Sequence, residues 1–174
     1  MRLAPLRPED RARLSELLIA TAAFSSDEVA VALEIFDETF DDDRRSEGPA
    51  FALPDYEFVG AYDNQHLLGY ACFGPAPATE GTYDLYWLAV DPAAQGRGVG
   101  RALLQWVERE LGGRAARLLV VETSSRADYE HTRAFYARGG YVEAARVRDF
   151  YAPADDRIIL TTRLTTQEGG VATR

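Results

Sequence analysis

A mixed α/β domain is the fold class this sequence predicts, and three observations predict it. An antiparallel start is written in two β-rich runs, Glu57 to Tyr62 and Leu67 to Phe73, joined by the turn Asp63-Asn64-Gln65-His66. Strand and helix patterns then alternate toward the C-terminus. At 174 residues, with no internal repeat, the chain is sized for one domain with a substantial core.

Each element has its own signal. Leu6-Arg7-Pro8-Glu9-Asp10 opens a helix to about Ala20, with proline suited to the first turn and Leu14, Leu17 and Leu18 forming an apolar stripe. Ser25 with Glu28 three positions on reads as a capping box, and Val29, Leu33 and Phe36 continue that second helix. The charged segment Asp41 to Pro49 has no hydrophobic pattern and is expected to be a solvated loop. After the hairpin, Gly74-Pro75-Ala76-Pro77 breaks the pairing, and Thr82 to Val90 is an aromatic-rich strand. A helix from Gly98 to about Leu111 puts Val99, Leu103, Trp106 and Val107 on one face and stops at Gly112-Gly113. Arg117 to Glu122 reads as a strand, Tyr129 to Arg138 as a helix ended by Gly139-Gly140, and Tyr141 to Arg148 and Arg157 to Leu164 as the last two strands. The domain is expected to span residues 1–164, with 165–174 a small, polar tail.

The chemistry is concentrated where the strand ending at Val90 meets the next helix, in Asp91-Pro92-Ala93-Ala94-Gln95-Gly96-Arg97-Gly98-Val99-Gly100-Arg101. Glycines let backbone approach a ligand closely, and the free N–H groups of a helix's first turn suit an anion. The dinucleotide pattern G-x-G-x-x-G is not met, because the glycines fall at 96, 98 and 100. A P-loop needs Gly-Lys-Ser/Thr, and this chain contains no lysine.

The spacing Q-x-x-G-x-G after Asp-Pro resembles the acyl-CoA pyrophosphate loop of the GNAT N-acetyltransferase superfamily. Downstream, Glu122-Thr123-Ser124 closes a second apolar strand, and Thr132-Arg133-Ala134-Phe135-Tyr136 precedes Gly139-Gly140-Tyr141, in the order that family shows. The resemblance covers roughly residues 57 to 164. It implies the GNAT acyl-CoA N-acyltransferase fold, a central, mostly antiparallel sheet with a splayed parallel pair and flanking helices. It also implies acetyl-CoA as co-substrate. The pantetheine arm would enter a gap between the strands ending at Val90 and Glu122.

Carried residue by residue, the resemblance places cofactor contacts on Leu88, Ala89 and Val90, whose backbone would meet the pantetheine amides, and on Gln95, Gly96, Arg97, Gly98, Val99, Gly100 and Arg101. Arg133 joins Arg97 and Arg101 as a source of local positive charge for a polyanion. Tyr136 is the expected acid for the leaving thiolate, since a phenol with a pKa near ~10 stays protonated at neutral pH. For the base, Asp84 lies six residues before Val90 and on an ideal strand faces the same side. Glu122 is the alternative, and a water chain with no dedicated base is a third route. Many relatives carry an asparagine near the start of the tyrosine-bearing helix, where this chain reads Asp128-Tyr129-Glu130-His131-Thr132. Arg148 to Asp156 is similar to the aromatic and acidic loop that ribosomal-protein N-terminal acetyltransferases use to hold a peptide amine. Phe150 and Tyr151 could wall an amine site there, with Asp149, Asp155 or Asp156 attracting its charge; an acidic hairpin turn is the other reading.

Composition narrows the rest. A net charge of −9 disfavours nucleic acid and could speed encounter with a cationic amine, and all nineteen basic residues are arginine. No apolar run approaches the ~20 residues of a membrane helix, and the N-terminus lacks a secretory apolar core, so no membrane partner and a cytoplasmic location are expected. Cys72 is the only cysteine and reads as a small buried hydrophobe, and no metal-ligand spacing is present. The function expected is acetyl transfer from acetyl-CoA to a primary amine of a small molecule through a direct ternary complex. Alternatives are a protein N-terminal or lysine acetyltransferase and a non-catalytic acyl-CoA-binding regulatory module. Exposed edge strands make a homodimer a candidate assembly.

Overall fold

The computed structural model describes residues 1–41 and 56–164. The expected solvated loop lies, apart from Asp41, outside the described residues, as does the tail. One seven-stranded sheet organises the molecule, in the order β1-β2-β3-β4-β5-β7-β6. Its strands are β1 (Arg2–Pro5), β2 (Glu57–Asp63), β3 (His66–Pro75), β4 (Thr82–Val90), β5 (Leu118–Ser124), β6 (Val142–Ala152) and β7 (Asp155–Arg163). Every pairing is antiparallel except that of β4 with β5. Among the described residues no helix is long and apolar enough to cross a membrane.

Among the described residues two helix pairs cover opposite faces. On one, α1 (Arg11–Thr21) and α2 (Ser26–Phe40) pack Leu14, Leu17, Leu18 and Phe36 onto Phe58, Tyr62 and Tyr70. On the other, α3 (Val99–Gly113) packs Val99, Leu103, Val107 and Leu111 onto Val59, Ala71, Leu119 and Ile158, with α4 (Glu130–Arg138) beside it. Burying each such side chain fully is worth roughly 1.5–3 kcal/mol, so the two apolar faces fix which way each strand's alternation points. Ser25 caps α2 as its sequence predicts: its hydroxyl accepts from the Glu28 N–H and the Glu28 carboxylate accepts from the Ser25 N–H at 2.7 Å.

The structure departs from the sequence reading at both ends of the sheet. Arg2–Pro5, unassigned from sequence, is an edge strand against β2, too short to show a period. At the opposite edge, Arg148 to Asp156 is not a loop between strands. It belongs to one long hairpin that turns at Pro153 and Ala154, with Ala154 at φ +64°. The expected helix from Tyr129 begins one turn earlier, as a 3-10 turn over Ala127–Tyr129.

Candidate active site

The parallel pairing that delivers the site is short. β4 meets β5 only from Thr82↔Leu118 to Leu85↔Val121, and beyond Leu85 the two strands splay. The β5-facing backbone edge of β4 from Tyr86 to Val90 is thereby left open, in the segment where Leu88, Ala89 and Val90 were expected to act. Gln95 Nε2 donates to the Val90 carbonyl at 3.2 Å and folds the loop back over the strand end.

The loop is built by identifiable devices. Asp91 ends the strand, its carboxylate accepts from the Ala93 N–H at 2.8 Å, and Pro92 starts a 3-10 turn to Ala94. Arg13 of α1 reaches across to pair with Asp91 and to donate to the Leu67 carbonyl at 3.2 Å. The Ala93 N–H, with Arg13 behind it, holds the Asp91 carboxyl below its usual range despite partial burial. Gly96 at φ +72° and Gly98 at φ +82° adopt backbone that favours glycine, and a Cβ on either would point into open space. Gly98 is the N-cap of α3 and brings no side chain to cap it. Its carbonyl accepts the Ala102 N–H, so the N–H groups of Val99, Gly100 and Arg101 precede the first intrahelical bond and face outward as an anion site.

A groove runs from this cradle between α3 and α4, floored by Leu88, Val90 and Gly100 and flanked by Arg101, Arg138 and Phe135. The expected cations divide. Arg101 lines the groove, whereas Arg97 is exposed beside it. Arg133 is turned away: its guanidinium donates to the Ser124 and Arg126 carbonyls, both at 2.8 Å, and ties the end of β5 to the start of α4. A residue in the first turn of a short helix lies nearest the preceding strand end, and its guanidinium reaches those carbonyls, that of Arg126 also accepting the Tyr129 N–H at 3.1 Å. Arg138, not singled out from sequence, takes a place on the groove wall.

On the far side of the β4–β5 gap lies a second cavity of about 430 Å³. Its walls are Thr21 to Phe24 from the α1–α2 junction, Tyr86 and Trp87 from β4, Glu122 and Thr123 from β5, and Asp128, Tyr129, His131 and Thr132 before and within α4. Phe24 packs edge-on against Trp87 at 5.1 Å, and Tyr129 Oη donates to the Ala23 carbonyl at 2.8 Å. Groove and cavity share Leu88, Val90, Gln95, His131, Thr132 and Tyr136. Tyr136 is buried between Phe135 and Tyr141, with centroids at 5.1 and 5.4 Å, and burial pushes its phenol well above the ordinary tyrosine range.

Asp84 and Val90 do not share a face. β3 pairs Cys72 with Trp87 and Phe73 with Leu85, leaving Tyr86 as an extra residue in β4. This bulge reverses the alternation. Tyr83, Leu85, Leu88 and Val90 pack toward α3, while Tyr86, Trp87 and Ala89 pack toward α1 and α2. Asp84 therefore lies on the α1–α2 face, hydrogen-bonded by Tyr86. Burial raises its carboxyl above the usual range, partly offset by that bond and by Arg157. Glu122 is on the same face, lines the cavity directly, and pairs with Arg157. Arg157, which the sequence did not flag, stacks 4.8 Å over Phe150. Phe150 and Tyr151 stand half exposed near the hairpin end, outside the cavity wall. Burial raises the Tyr151 phenol above its ordinary range, and the nearby Asp155 and Glu28 carboxylates add to the rise. Asp155 is buried and accepts from the Ser124 hydroxyl, which clasps the hairpin to β5.

Comparison with known proteins agrees with this geometry. Residues 20–141 match the model of the acetyltransferase (GNAT) family. The N-alpha-acetyltransferase RimI of Mycobacterium tuberculosis is 38% identical over 104 residues, which cover 58% of this chain and 61% of that protein, so the match spans less than two thirds of the relative's length. A solved chain from Desulfovibrio desulfuricans, described within the GNAT family, is 38% identical with a TM-score of 0.84, covering 94% of this chain and 99% of its own. An aminoglycoside 6'-N-acetyltransferase solved with coenzyme A shares the fold at 17% identity and a TM-score of 0.72, over 97% of this chain and all (100%) of its own.

Proposed function

The chain belongs to the GNAT acetyltransferase family, acyltransferases that use acetyl-CoA, and from that premise we propose that it acetylates a primary amine of a small molecule by direct attack within a ternary complex. One observation carries this reading: the groove beside the glycine cradle and the acceptor cavity open into one another at the β4–β5 gap, with Tyr136 on the wall of both. The residues present fit acetyl-CoA. Uncapped first-turn N–H groups of α3 suit its pyrophosphate, Arg101 and Arg138 add charge, and the open edge of β4 suits its pantetheine amides. Bound there, acetyl-CoA supplies an activated thioester acyl group.

The chain's own groups then have distinct tasks. Backbone donors along Leu88 to Val90 are held in place before reaction, so they can stabilise negative charge on an acyl oxygen without reorganising. Tyr136, protonated at neutral pH, supplies the proton to the leaving thiolate. Of the two base candidates, Glu122 is the one that lines the cavity, and it accepts the amine's proton, directly or through one water. Asp84 stands behind Tyr86 and adds negative charge to the same face. The aromatic walls around Trp87 and Tyr129 accommodate the apolar body of a small amine.

A second reading, acetylation of a peptide N-terminus, is favoured by the 38% identity to the RimI protein of Mycobacterium tuberculosis. Calorimetric titration with acetyl-CoA, followed by thiol-release assays against small primary amines and short peptides with free N-termini, tests both. Binding with turnover on small amines supports the proposal, and turnover only on peptides supports the second reading. Binding without thiol release in either panel would leave a non-catalytic acyl-CoA module. No binding by the folded protein would remove all three.

A further inference from the structure

Three strands bring three charged side chains to one face beside the acceptor cavity. Asp84 in β4 is the register partner of Val120 in β5, and Glu122 follows two residues later on the same face. In β7, Arg157 is the partner of Ser124 and so lies diagonally across from Glu122, again on that face. Arg157 pairs with Glu122, acts electrostatically on Asp84, and is held by the face of Phe150. Its Nε is buried with no hydrogen-bond partner, while the guanidinium stacks on Phe150 and pairs with Glu122 through Nη2.

We propose that Arg157 is a positioning residue for acetyl transfer: it keeps Glu122 ionised and aimed at the acceptor cavity. The proposal rests on Glu122 being the proton acceptor. An opposite charge adjacent to a carboxylate favours its ionised form. Arginine suits the task because its guanidinium stays charged and stacks on an aromatic ring while pairing with a carboxylate. Phe150 thereby acquires a role that exposure alone did not give it: it orients the arginine.

The other groups that face Glu122 are identifiable. Tyr86 lies on β4 beside Asp84; Asp128, Tyr129 and His131 come from the approach to α4 and its first turn; and Tyr136 lies deeper in the gap. Asp128 is paired with Arg126. Among the described residues Arg157 is the cation paired with Glu122, and its loss leaves that carboxylate beside the cavity without its paired positive charge.

The test compares wild type with Arg157→Gln and Arg157→Lys, each checked by circular dichroism and thermal melting. Two readouts are taken: the pH profile of kcat/KM for an accepted amine, and the titration of the Glu122 carboxyl by carbon-13 NMR, identified by its absence in Glu122→Gln. In Arg157→Gln the acidic limb and the carboxyl midpoint should both rise by about one pH unit, the low end for loss of an adjacent opposite charge. Arg157→Lys, which keeps the charge, should return both close to wild type. An unmoved carboxyl midpoint in Arg157→Gln, or a Lys variant indistinguishable from Gln, overturns the proposal. A midpoint that moves in a protein that acetylates no amine leaves the Arg157–Glu122 coupling standing and removes the enzymatic reading instead. Should Arg157→Gln not fold, Phe150→Leu replaces it, with a smaller rise in the same direction expected and an unmoved midpoint again counting against the proposal.

Discussion

Tyr129 and Ala23, 106 positions apart in the sequence, are joined by a hydrogen bond of 2.8 Å from the tyrosine hydroxyl to the alanine carbonyl. It ties the approach to α4 to the α1–α2 junction across the second cavity, where Ala22 turns the chain at φ +51°. Removing one such bond costs about 1 kcal/mol, roughly fivefold in an equilibrium. Tyr129→Phe should therefore raise KM for the amine a few-fold while leaving acetyl-CoA affinity unchanged. It should also speed amide exchange at residues 22–25 in hydrogen-exchange mass spectrometry. Unaltered exchange there would mean that the contact does not hold the wall.

The two ends of the glycine cradle should respond differently to added side chains. Gly98 sits at φ +82°, where an L residue costs on the order of 1–2 kcal/mol and valine, being β-branched, more. Gly100 is helical, and a Cβ there would meet Val90 and Phe135 at 3.5 and 3.6 Å, which is ordinary contact. Gly98→Val should lower both the melting temperature and acetyl-CoA affinity. Gly100→Ala should keep or raise the melting temperature, because alanine gains about 1 kcal/mol of helix propensity, while weakening binding by placing a methyl group on the groove floor. Calorimetry and thermal melts on the two variants separate strain in the fold from obstruction of the ligand.

Tyr136→Phe keeps both ring contacts and removes only the hydroxyl. Turnover should fall by about a hundredfold, the usual worth of a positioned acid, with acetyl-CoA affinity and melting temperature little changed. A turnover number equal to wild type, measured where chemistry limits the rate, would take this tyrosine out of the mechanism.

Acid should loosen the attachment of α1 before it reaches the rest of the sheet. Asp10 is buried, which alone would raise its carboxyl. The hydrogen bonds from Tyr62 Oη at 2.7 Å and from the Arg7 N–H at 2.9 Å outweigh burial, with the Arg7 guanidinium adding to them, and hold it below the usual carboxylate range. A carboxyl lower in the folded than in the unfolded chain contributes stability that is complete above about pH 4 and is lost as pH falls through the folded value. Urea midpoints between pH 6 and pH 3 should fall more steeply for wild type than for Asp10→Asn, which should start lower at pH 6. Parallel curves would show that Asp10 contributes nothing through its charge.

What the sequence by itself determined was local. The capping box of Ser25 and Glu28, the strand-ending Asp91-Pro92, the glycines that need positive φ and the helix carrying Phe135 and Tyr136 are each written within a few consecutive residues, and the structure keeps them all. Tertiary structure decided which side chains meet. Counting by twos placed Asp84 with Val90, but the bulge at Tyr86 is set by the register of β4 against β3 and turns Asp84 to the other face. The spacing of Arg133 suggested a ligand cation, but two carbonyls at the end of β5 claim its guanidinium. Arg157 carries no motif, and only the antiparallel docking of β7 against β5 brings it to Glu122. The physical reason is common to all three: periodicity reports the geometry of one strand or helix, whereas bulges, splayed edges and ion pairs are settled by the partner element, which no local window of sequence contains.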